Sequence, residues 1–131
     1  MSMLARFTAP CLVALCCLQL AGCGDSPGTF DPVQHDMEII LSDADLETRR
    51  RASRNLVGQN FSDEQIEKLM AYIKDDKHDN VIRGRMIYAL GSLGPDRCNH
   101  LINDLLDVAK RTPSLRQAVT VASDRLSWKG N

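Results

Sequence analysis

Residues 45–56 read DLETRRRASRNL, and residues 79–90, 34 positions further on, read DNVIRGRMIYAL. Aligned, Asp45 falls over Asp79, Arg49 over Arg83, Arg51 over Arg85 and Leu56 over Leu90. A weaker third copy follows 33 residues later, with Leu115 and Arg116 under Ile82 and Arg83, and Ala122 under Ala89. Self-similarity at a period of 33–34 residues marks a chain built from repeated helix pairs. Each pair cannot bury its apolar face alone and so stacks on the next.

The sequence around these copies is helical in pattern. Ser62 with Gln65 three residues on forms a capping box, and Ile66, Leu69, Met70 and Ile73 follow as one apolar stripe. Gly94 and Pro95 close one helix and open another. Leu101, Ile102, Leu105, Leu106, Val108 and Ala109 give the next a broad apolar face. Thr112 before Pro113 reads as a cap followed by the first helical position. No stretch alternates in the manner of a strand. The spacing predicts helices near 32–41, 44–57, 63–75, 79–92, 96–110 and 113–126, an all-α domain over residues 31–127 with a tail at 128–131. The second helix of each copy buries Ala52 and Leu56; Ile82, Met86, Ala89, Leu90 and Leu93; and Leu115, Val119 and Ala122.

Ile82-Arg83, Ile87, Ala89-Leu90-Gly91 and Leu93-Gly94 look like the second helix of a short HEAT repeat, the PBS-lyase type also found in phycobilin lyases. The resemblance runs from Asp43 to Ser127, good in the middle copy and decayed in the outer two. Thr48-Arg49 lacks the aliphatic residue before Arg, and Thr112 stands where the other copies have Asp. Tetratricopeptide repeats share the period, but their Trp, Gly-Tyr and Pro landmarks are missing. The resemblance implies a short α-solenoid of about three HEAT-like helix pairs, with second helices lining a concave surface. It also implies a structural ladder made by Asp45, Arg49, Asp79, Arg83 and Arg116.

The N-terminus carries a different signal. Arg6 is the only charge before Cys23, and an apolar run from Phe7 to Ala21 follows it. That run is shorter than the roughly 20 apolar residues a membrane span needs, and Pro10 and Gln19 interrupt it. It ends in Leu20-Ala21-Gly22-Cys23, which resembles the lipobox of bacterial lipoproteins. The resemblance implies removal of residues 1–22 as a signal peptide, and a diacylglyceryl group and an N-acyl chain such as palmitate on Cys23. Residues 23–30 then form a lipidated cysteine and tether reaching at most about 25 Å from the membrane. Gly24, rather than Asp, after the cysteine implies the periplasmic face of the outer membrane.

Cleavage there removes no acid and, of the bases, only Arg6, so the remaining 17 Asp and Glu outnumber the Lys and Arg by two. That balance argues against a nucleic-acid binder held by bulk charge. Of five cysteines, only Cys98 remains unmodified, which leaves no intramolecular disulfide and suggests a small buried side chain. His35, His78 and His100 show no zinc spacing, so no metal is expected. No nucleophile elbow, phosphate loop or paired carboxylates appear, so no catalytic residues and no cofactor beyond the covalent lipid are expected. The i, i+4 pairs Asp45/Arg49 and Asp79/Arg83 read as structural, the Asp capping its helix and the Arg pairing along the helix or with the neighbouring repeat.

Counted from the repeat Arg, offsets two, five and nine share a face other than the core face. They hold Arg51, Arg54 and Gly58; Arg85, Tyr88 and Ser92; and Ala118, Val121 and Arg125. Arg51, Arg54, Arg85, Tyr88 and Arg125 would form a basic, Tyr-containing concave surface, because Arg and Tyr anchor interfaces and Arg grips carboxylates bidentately. A solvated face is the competing reading. The expected function is a non-enzymatic, membrane-anchored periplasmic scaffold or adaptor. It would hold an acidic or C-terminal segment of an envelope protein, as a monomer or weak oligomer without nucleic acid. A pilotin-like assembly factor for a secretion or pilus machine, a small-ligand-binding or lyase-like HEAT protein, and a plain spacer remain alternatives.

Overall fold

The computed structural model describes residues 29–128. The expected signal peptide, Cys23 and all of the expected tether but Thr29 and Phe30 lie outside the described residues, as do residues 129–131. Seven helices follow: α1 Pro32–Leu41, α2 Leu46–Leu56, α3 Asp63–Lys74, α4 Asn80–Gly91, α5 Pro95–Cys98, α6 Ile102–Arg111 and α7 Arg116–Ser127. Among the described residues there is no strand.

Short-range chemistry sets most of the boundaries. Asp45 caps α2 by accepting the Thr48 N–H at 2.8 Å, and Asp79 caps α4 by accepting the Ile82 N–H at 3.1 Å. Ser62 and Gln65 close the capping box of α3 in both directions. After α2, the Gln59 N–H returns to the Leu56 carbonyl across a turn with Gly58 at φ 88°, a conformation that favours glycine.

Two boundaries differ from the periodicity. The helix expected at 96–110 is broken into α5, a 3₁₀ turn at Asn99–Leu101, and α6. Cys98 leaves helical geometry at φ −129°, and the tighter turn brings Cys98 and Leu101, three apart, toward the same core. Thr112 does not cap. Its backbone is non-helical at φ −129° and ψ 87°, Pro113 starts a 3₁₀ turn, and the Thr112 hydroxyl lies 3.4 Å from the Arg83 guanidinium instead.

The helices pair and stack as a short α-solenoid. α1 packs along α2, α3 packs against α4, and α6 packs against α7. The second helices α2, α4 and α7 form a contiguous row with α4 in the centre. The inward residues of that row are those the period selected: Leu56, Ile82, Met86, Ala89, Leu90 and Ala122 are buried, although Leu93 is only partly so. Gly91 sets the closest approach, since a Cβ there would lie 2.9 Å from Ala122 Cα. That crowding brings α7 tightly onto α4. It buries Ala118, which periodicity alone placed on the open face, and half-buries Val121.

Candidate interaction surfaces

The second-helix row is arginine-rich. α2 carries Arg49, Arg50, Arg51 and Arg54 against Glu47; α4 carries Arg83 and Arg85 and no acid; α7 carries Arg116 and Arg125 against Asp124. None of these three helices contains a lysine. The first helices α3 and α6 are mixed in charge: Asp63, Glu64 and Glu67 stand against Lys68 and Lys74 in α3, and Asp104 and Asp107 against Lys110 and Arg111 in α6.

The structure divides the five residues expected on the concave surface into three places. Arg51 and Arg54 are exposed on α2. Arg85 and Tyr88 are half-buried and line a shallow groove of about 350 Å³ between α4 and α7, with Gly84 and Ala118 among its walls. Arg125 is exposed but borders another groove, of about 680 Å³, beside Gly91, Pro95 and Trp128. Arg85 is also structurally engaged, with Nη1 donating to the Arg50 carbonyl at 2.5 Å and to Ser53 Oγ at 3.4 Å. Tyr88 packs against the core with its ring. Arg51 and Arg54, like Arg125, are therefore residues whose guanidinium groups face solvent without a structural hydrogen bond, and Arg85 doubles as a strap between repeats.

Of the residues expected in the ladder, Asp79 makes an ion pair with the preceding repeat, but its partner is Arg50, while Asp45 and Arg49 make local contacts. Arg49 Nε donates to the Ala44 carbonyl at 3.0 Å rather than to Asp45. Asp79 is gripped by Arg50 of the preceding repeat, Nη2 to Oδ1 at 2.8 Å and Nε to Oδ2 at 3.1 Å. Arg50 was not singled out in the sequence, because a run of three arginines gives no local sign of which one reaches the next repeat. Its guanidinium, with the Ile82 N–H adding a smaller pull, holds the Asp79 carboxyl below the usual carboxylate range against the opposing effect of burial. Asp45 is likewise lowered by the Thr48 N–H and hydroxyl.

Arg83 has no exposed surface. Its Nε donates to the Ile73 carbonyl at 2.8 Å and Nη1 to Asn80 Oδ1 at 2.9 Å. Nη2 reaches Asp76 Oδ1 at 3.3 Å and Thr112 Oγ1 at 3.4 Å. Arg83 thus joins α3, α4 and the start of the third repeat. Burial lowers its pKa, with nearby Asp76 opposing. Arg116, the third-copy counterpart, is exposed on α7.

His78 packs against the end of α3. Its ring stacks on Tyr72 at 3.7 Å, and Nδ1 lies 3.1 Å from the Tyr72 carbonyl. Cys98 is fully buried, as the sequence suggested, and burial raises its thiol pKa. Among the described residues no group of three or more His, Cys, Asp or Glu could hold a metal ion, and no helix is long and apolar enough to cross a membrane. The chain matches no family model, no curated protein and no solved structure.

Proposed function

We propose that this chain is a lipoprotein of the bacterial envelope, anchored through Cys23, whose helical-repeat domain is a non-enzymatic docking module for an acidic segment of another envelope protein. The observation that carries this reading is the use of arginine without lysine in the second-helix row, with Arg51 and Arg54 exposed on α2. A solvated face selects lysine and arginine alike, whereas the planar guanidinium fork suits bidentate capture of carboxylates. Arg85 and Tyr88, together on the wall of the α4/α7 groove, extend the same surface. A tether of at most about 25 Å would keep that surface beside the membrane on which its client lies, and two or three acyl chains make a durable anchor.

The test is chemical crosslinking in the native envelope followed by capture of wild type and of Arg51→Glu/Arg54→Glu, with circular dichroism confirming that both fold. A protein captured by wild type and lost by the variant supports the docking module, and an acidic segment at the crosslinked site supports its chemistry. Identical capture by both removes the arginine face as a site.

A further inference from the structure

The outer layer of the repeat carries a second surface, opposite in sign to the arginine row. α3 lies apart from α5 and α6, leaving a groove of about 720 Å³ floored by Ile66, Met70 and Leu101. Two ion pairs cross it: Arg97 Nη2 to Asp63 at 2.8 Å and Lys74 Nζ to Asp104 at 3.2 Å. Those contacts commit both cations of the groove. The charge left over is acidic, from Glu67 and Asp96, both exposed and without an ion pair among the described residues.

We propose that a second copy of this chain occupies this groove. Helix α2 of one copy lies over the α3/α6 groove of the next, with Arg51 and Arg54 directed at Glu67 and Asp96. Charge complementarity selects this occupant. Arg51 and Arg54 stand three apart on one helical face, are exposed, and make no ion pair among the described residues. An arginine stem can cover an apolar floor while its fork reaches a carboxylate at the rim. α2 is also the first helix of the inner row, with α4 on one flank only, so a neighbouring copy can approach it. The contact uses two different surfaces and is therefore heterologous. Each added copy leaves one arginine face and one acidic groove unfilled, so the association extends rather than closing at two. Under the lipid-anchored reading, confinement of copies to one membrane plane raises their effective concentration.

The experiment is sedimentation velocity of the full chain in non-ionic detergent, at about 50 mM and about 500 mM salt, between which the screening length shortens about threefold. Wild type is compared with Arg51→Glu/Arg54→Glu, with Glu67→Lys/Asp96→Lys, and with their equimolar mixture. The expected result is wild-type association at low salt that is lost at high salt, and at least tenfold weaker association of each variant alone. In the mixture each variant carries two like-charged surfaces. The groove variant's intact arginines then fit the arginine variant's intact groove, and the two reversed faces, glutamates on one and lysines on the other, are again opposite in charge, so association returns with the two variants alternating. A wild type that stays monomeric at low salt overturns the proposal. So does a groove variant that associates like wild type, or a mixture that stays monomeric. The groove variant keeps Arg51 and Arg54 and is expected to retain client capture, so failure of self-association and failure of the docking reading are told apart.

Discussion

The Asp79 carboxylate serves two repeats at once: it accepts both the Arg50 guanidinium of the preceding helix pair and the Ile82 N–H of its own helix. One side chain thereby caps α4 and holds α2 against it. The two roles are separable by substitution.

Asp79→Ala removes cap and rung together and is expected to destabilise the fold by about 1–2 kcal/mol, the usual cost of a lost N-cap. Asp79→Asn keeps a capping oxygen and loses only the charge, so its cost is smaller. The two variants and wild type are compared by urea denaturation with helical circular dichroism as the readout.

The charge component has a pH signature. Because the folded-state pKa of Asp79 is depressed, its contribution is fully present above the unfolded carboxylate value of about 3.9. It is lost as pH falls through the lower folded value. The stability difference between wild type and Asp79→Asn should therefore be constant from neutral pH down to about pH 5 and shrink below about pH 4. A difference that instead grows on acidification contradicts the Arg50 pairing.

Arg83 is a buried cation whose fork is spread over four acceptors on three segments. Arg83→Ala leaves the Ile73 carbonyl without its donor and opens a cavity, for an expected loss of about 3 kcal/mol. Arg83→Lys keeps the charge but cannot reach all four, and should lose roughly half as much. Urea midpoints give both values, and a Lys variant as unstable as Ala would show that the fork geometry is the whole contribution.

Two glycines of α4 should respond in opposite directions to the same change. At Gly91 a methyl group meets Ala122 backbone at 2.9 Å, so Gly91→Ala forces α4 and α7 apart and costs about 1–3 kcal/mol. At Gly84 the nearest atom is Leu115 Cδ2 at 3.6 Å, ordinary contact distance. Gly84→Ala should stabilise by about 0.5–1 kcal/mol through lower chain entropy in the unfolded state. Thermal melts of the two variants, run side by side, check the sign of each.

Cys23→Ser tests the anchor directly. The expected outcome is an uncleaved precursor lacking the acyl mass, with the protein lost from its normal membrane fraction. Intact-mass spectrometry and fractionation read both. Normal cleavage and retention in the Ser variant would place the anchor elsewhere.

The helices, their caps and the repeat were legible in the residues because each depends on neighbours within a few positions. Ser62 and Gln65, Asp45 and Thr48, and Asp79 and Ile82 find each other through local backbone geometry. The stripe Ile66, Leu69, Met70 and Ile73 is buried for the same reason, since 3.6-residue periodicity puts those side chains on one face. The break at Cys98 and the uncapped Thr112 were missed where a local rule met a tertiary demand. Cys98 and Leu101 turn inward together, and the Thr112 hydroxyl is drawn toward Arg83.

By itself, then, the sequence determined an all-α chain of repeated helix pairs, the positions that face the core, and an inner row bearing arginine without lysine. Only the tertiary structure decided which arginine does what. Arg50 rather than Arg49 grips the next repeat, Arg83 is buried, Arg85 is tied to the helix before it, and Arg51 and Arg54 are left facing solvent. The acid-rimmed groove between α3 and α6 likewise exists only through the stacking. The physical reason is reach. A helical hydrogen bond closes within four residues, whereas a guanidinium at the end of a long side chain finds acceptors 29 to 35 residues away. Which acceptor it finds depends on how far one helix is displaced along its neighbour. That displacement is set by contacts such as Gly91 against Ala122, which no single helix contains.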